Sequence, residues 1–116
     1  MKYLCLAYGS EKDWKALTED EQSTLLAQDD VLRERGDLVA AVGLEVMTVR
    51  AWDGTPVTSE GSPAGSPLPL AGFGIIDAAD LDEAVRLVAH TPCARAKGRV
   101  ELRPITIMNE VNIEEE

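Results

Sequence analysis

The chain has 116 residues, 45% of them apolar and 28% charged, a balance that suits one globular domain and argues against disorder. Its 21 acidic and 11 basic side chains leave a formal net charge of -10, so nucleic acid and anionic membrane surfaces are excluded as expected partners by like-charge repulsion. No run approaches the roughly 20 apolar residues of a transmembrane helix. The apolar stretch at the N-terminus is too short for a signal peptide and lacks a small-residue cleavage site, so a cytoplasmic location is expected.

Lys2 to Tyr8 is apolar on both faces, with Tyr3, Cys5 and Ala7 on one and Leu4, Leu6 and Tyr8 on the other, the pattern of a strand inside a doubly covered sheet. Gly9 to Asp13 reads as a polar turn. Trp14 and Leu17 then lead into Thr18-Glu19-Asp20-Glu21, a capping box with acids in the first turn, where the helix dipole favours them. That helix carries Leu25, Leu26, Val31 and Leu32 and stops after Arg33, Arg35 and Gly36. Leu38 to Leu44 is a second strand and Met47 to Trp52 a third. Asp53-Gly54 turns the chain into a short continuation at Pro56-Val57-Thr58, which makes a hairpin arm. Ser59 to Pro69, dominated by Ser, Gly and Pro, reads as a loop.

Leu70 to Asp77 is the strand on which the chain is organised, with Phe73 and Ile75 facing one way, Gly74 and Ile76 the other, and no charge on either side. In the next helix Leu81, Ala84, Val85 and Val88 form one apolar stripe. Asp80 is placed to cap it with Glu83 reaching back, and Pro92 marks its end. After a connection from His90 to Gly98, the strand Arg99 to Pro104 alternates strictly, Val100 and Leu102 against Arg99, Glu101 and Arg103. The domain is expected to span 1–108, followed by an acidic tail at 109–116.

The order strand, helix, two or more strands, helix, strand is the split βαβ arrangement of the ferredoxin-like α+β fold, whose helices cover one sheet face. The central strands are nevertheless apolar on both faces, and a stable monomer does not leave such a surface bare. A homodimer with sheet facing sheet, a dimeric α/β barrel, is expected.

Several of these stretches occur together in a known family. Met1 to Gly9, Trp14 to Glu21, Ala71-Gly72-Phe73, Asp80-Leu81-Asp82-Glu83-Ala84 and Val100 to Ile105, in this order and spacing, resemble the YCII-related superfamily and specifically its DGPF-domain branch, over most of residues 1 to 105. The resemblance implies a dimeric α/β barrel with a cleft between sheet and helices. It also implies a function that is mostly unassigned across the family, whose members are read as small enzymes or as accessory proteins of extracytoplasmic-function sigma factors. The chain departs from the family where relatives carry an Asp-Gly-Pro-Phe run. Here that region is Ser59 to Pro69, and only Glu60-Gly61 and Pro63 echo it.

His90 is the only histidine and the side chain whose ordinary pKa lies nearest neutrality. It is the candidate general acid or base, with Asp77 or another carboxylate orienting its ring; a cation closing a helix end is the competing reading. Arg103, with Glu101 fixing its guanidinium, is the candidate holder of an anionic group, against a salt-bridged strand as the alternative. Arg95 is a second anion candidate. Tyr8 and Trp14 flank the turn after the first strand and would roof a cleft, or else supply packing. Cys5 and Cys93 are expected to be free thiols, and with one histidine they fall short of a metal site. Gly72-Phe73-Gly74 lies within a strand and is no phosphate loop, so neither metal nor cofactor is expected. The expected function is binding of a small polar or anionic metabolite in a cleft, with acid–base catalysis by His90. The alternative is a non-enzymatic dimeric accessory or regulatory module for a protein partner.

Overall fold

In the computed structural model, which describes residues 1–61 and 68–108 and the backbone of 111–112, four strands form one antiparallel sheet. They are β1 (Lys2–Tyr8), β2 (Leu38–Ala41), β5 (Leu70–Asp77) and β6 (Arg99–Pro104), in the order β2-β5-β1-β6. The first and third of these strands lie side by side in the centre, as the split βαβ topology requires. The register sets Cys5 opposite Gly74 and Leu102, and Leu6 opposite Phe73 and Glu101. Tyr3, Cys5 and Ile76 therefore share one face, and there they form the core with Leu32, Ala84 and Val88 from the helices. The opposite face, with Leu4, Leu6, Phe73 and Ile75 only half-buried, carries no helix among the described residues.

Local hydrogen bonds set the helix starts. In α2 (Glu19–Glu34) the Thr18 Oγ1 accepts from the Glu21 N–H at 3.1 Å, and the Glu21 carboxylate accepts from the Thr18 N–H at 2.8 Å. This is the reciprocal box read from the sequence. In α3 (Leu81–Val88) Asp80 caps Glu83 at 2.8 Å, while the Glu83 carboxylate reaches one residue further back, to the Ala79 N–H at 3.0 Å. Of the expected α3 stripe, Ala84 and Val88 are buried, but Leu81 and Val85 stay about half exposed, because α3 packs against β6, an edge strand.

Several boundaries differ from expectation. Gly9 to Asp13 is not a simple turn: Ser10 caps a short helix, α1 (Glu11–Lys15), its Oγ accepting from the Asp13 N–H at 3.1 Å. β2 stops at Ala41, not Leu44. The Val42 N–H still bonds the Ala71 carbonyl at 3.0 Å, and the chain then leaves the sheet at Gly43. The arm consists of β3 (Met47–Arg50) and β4 (Val57–Glu60), which pair with each other in a sheet of their own, so Ser59 and Glu60 belong to a strand and not to the loop. Pro92 opens a helix instead of ending one. α3 closes at Ala89, and Pro92, with its φ already helical, is the first residue of α4 (Pro92–Arg95). A last pair, β7 (Ile107–Met108) and β8 (Val111–Asn112), places part of the expected tail in a small hairpin. The echoes of the family signature at Pro63 and the acids at Glu110 and 114–116 lie outside the described residues.

Candidate functional site

Between the sheet and the helical layer of α1, α2 and α4 lies a cleft of about 480 Å³, within the range that holds small ligands. Its volume comes from small side chains on the floor: Cys5 and Ala7 of β1, Ala41 of β2, and Gly72 and Gly74 of β5. The two glycines also admit the neighbouring strand. A Cβ built on Gly72 would stand 2.5 Å from the Ala40 carbonyl oxygen, and one on Gly74 2.6 Å from that of Leu38. Leu26, Asp29 and Leu32 of α2 form the roof, and Trp14 of α1 and Cys93 of α4 line the sides.

Three charged side chains line this cleft. Glu11 is held by Lys15 at 2.7 Å and Arg33 by Asp30 at 3.0 Å. Asp29, half-buried, has no hydrogen bond or ion pair among the described residues. Burial raises its carboxyl above the usual aspartate range; Arg33 pulls the other way and Asp30 adds to the rise. Burial, then the Asp29 charge, raises the Cys93 thiol, and burial with help from Asp37 pushes Cys5 up to about 11. Both free cysteines are therefore protonated near neutral pH and poor nucleophiles.

The residues picked from the sequence do not meet at one site. Trp14 lines the cleft. His90 lies just past the end of α3, exposed, its Nδ1 2.9 Å from Arg95 Nη1; a guanidinium only donates, so Nδ1 accepts and the neutral ring carries its proton on Nε2. Asp77 lies at the other end of α3, an eight-residue helix roughly 12 Å long. It accepts from the Met1 ammonium at 3.0 Å and pairs with Lys2 at 3.5 Å, and the ammonium hydrogen bond, foremost, holds its carboxyl below the usual range. Asp77 and His90 are thus engaged elsewhere and not with each other. Tyr8, Glu101 and Arg103 share the open sheet face. Arg99 stacks 4.7 Å above the Tyr8 ring, and Glu101 stands 3.9 Å from Arg99 and 3.4 Å from Arg103. Among the described residues no three His, Cys, Asp or Glu side chains converge as a metal site would need, and no helix is long and apolar enough to cross a membrane.

The YCII-related domain family matches residues 1–109. The chain belongs to this family. No curated protein matches it. Among solved structures, the YCII-related chain is similar to 5-chloro-2-hydroxyhydroquinone dehydrochlorinase from Burkholderia phenoliruptrix AC1100, in complex with 2,5-dihydroxybenzoquinone. The identity is 15%, the TM-score 0.49, and the match covers 93% of this chain and 96% of that one.

In this YCII-related domain the cleft residue that sequence reasoning missed is Asp29. A signal for it exists. Leu25, Asp29 and Leu32 stand at i, i+4 and i+7, so the carboxylate sits on the stripe that the two buried leucines define. An acid on the core side of a helix marks either a buried partner or a ligand site.

Proposed function

We propose that this YCII-related domain binds a small organic molecule in the cleft between sheet and helices. Its apolar body would rest on the Gly72 and Gly74 floor, and a hydrogen-bond donor would reach Asp29. The observation that carries this reading is a half-buried carboxylate, with no hydrogen bond or ion pair among the described residues, lining a cleft of ligand size. A bound donor would supply this carboxylate with a charge-assisted hydrogen bond that no described residue gives it.

An acid–base role for His90 has less support, since His90 and Arg95 lie outside the cleft wall and each engages the other. An anion held by Arg103 would sit on the open sheet face, where Glu101 already faces that arginine. The accessory-module reading draws on a different observation, the apolar side chains displayed on the arm: Met47, Val49 and Val57 are each more than half exposed. Backbone-amide NMR with a library of small aromatic and aliphatic probes decides between the readings. Shifts gathered at Gly72, Gly74 and Cys93 are expected; probes that shift only the arm, or nothing, would overturn the cleft reading.

A further inference from the structure

Which chemical class the cleft admits follows from its charges, given that it is a ligand site as just proposed. Glu11 is paired with Lys15 and Arg33 with Asp30, so the net negative charge of the cleft rests on the Asp29 carboxylate, which Arg33 attracts from one turn away but which no described residue hydrogen-bonds. A carboxylate only accepts hydrogen bonds and an ammonium only donates them. Charge-assisted pairs of that kind are roughly twice as strong as neutral ones. Trp14 supplies an aromatic wall in the same cleft, and indole is the ring that attracts cations best. The protein as a whole, at a net charge of -10, draws cations toward its surface and repels anions. We infer that the cleft selects a small organic cation, an amine whose apolar body lies over Gly72 and Gly74 and whose ammonium pairs with Asp29.

Three probes of nearly one shape separate the possibilities: benzylamine, benzyl alcohol and benzoate, each titrated at pH 7 into the labelled full chain while the amides of Gly72, Gly74 and Cys93 are followed. Benzylamine is expected to bind at least roughly tenfold more tightly than the other two, the size of a charge-assisted bond against an ordinary one. Asp29→Asn should abolish the preference for benzylamine, bringing it down to the level at which the variant binds the alcohol. Asp29 makes no hydrogen bond to a described residue, so the substitution breaks none of those, and an amide spectrum as dispersed as that of the wild type checks that the variant is folded. Equal binding of amine and alcohol, preference for benzoate, or benzylamine binding that survives Asp29→Asn would each overturn the inference while leaving the cleft as a ligand site. If none of the three moves these amides, the inference falls and the cleft reading falls with it.

Discussion

At the scale of single residues, two aspartates with opposite surroundings define the chemistry of this chain. Asp77 is stabilised as an anion by the chain's own N-terminus, whereas Asp29 is made harder to ionise by burial. For Asp29 the folded state holds its proton more tightly than the unfolded chain does. Stability therefore falls as pH rises from the ordinary aspartate range through the raised value, and stays lower above it. Asp29→Asn removes that penalty. Thermal unfolding should show its midpoint raised by roughly 2 °C at pH 7, a modest figure because the side chain is still partly solvated, and unchanged near pH 3. A lowered midpoint at pH 7 would mean that the carboxylate makes a stabilising contact in the native protein. The position of Asp29 on its helix was legible from spacing. That it lacks a hydrogen bond was not, because Arg33 stands four residues from Asp29 and three from Asp30, and only the side-chain geometry shows that it engages Asp30.

At the scale of elements, one tight constraint is the approach of β2 to β5. Gly74→Ala puts a methyl group 2.6 Å from the Leu38 carbonyl oxygen, and the backbone of a hydrogen-bonded strand cannot swing aside as the end of a long side chain can. Chemical denaturation should register a loss of about 1–3 kcal/mol, the usual cost of overpacking; a neutral result would mean that β2 is not held against β5. Sequence reading gave β5 its place from its uncharged faces, and it placed α2 and α3 from capping residues whose bonds span only three or four positions. Where it erred, the deciding information was not local. β2 runs out where the paired part of β5 does, although its alternation continues to Leu44. The five residues of α1 are too few to show a helical period, and the short Pro92 helix reads as a stop because proline serves equally well at a helix start.

At the scale of the whole molecule, the helices cover one side of a sheet that is apolar on both. Leu4, Leu6, Phe73 and Ile75 are only half-buried on the side that no helix of the described residues covers, while Tyr8 of β1 and Glu101 and Arg103 of β6 form a polar border. An apolar centre with a charged margin is the anatomy of a protein interface. Sheet-to-sheet association of two copies is the expected use. Light scattering of the purified chain should give twice the chain mass, and Leu6→Asp, which sets a charge at the centre of the face, should return it to the mass of one chain. A wild-type chain that stays at single-chain mass would rule out the barrel. The open face was legible from alternation alone, since β1 and β5 carry no charge on either side until their ends. The site was less so: of the seven residues singled out, only Trp14 lines the cleft, because polar residues on loops and strand ends draw notice more readily than one acid within a leucine stripe.

The two tryptophans occupy opposite extremes of this architecture. Trp14 forms a wall of the cleft, while Trp52 stands at the tip of the arm, 88% exposed, with the Arg50 guanidinium 5.0 Å from its ring centre. The consequence is optical. The emission of the chain is the sum of one indole in a partly apolar recess and one bathed in water beside a cation. Replacing Trp52 with phenylalanine leaves a single emitter whose colour records how wet the cleft is. Replacing Trp14 leaves one that sees only the arm, so each half of the molecule can be watched by its own light.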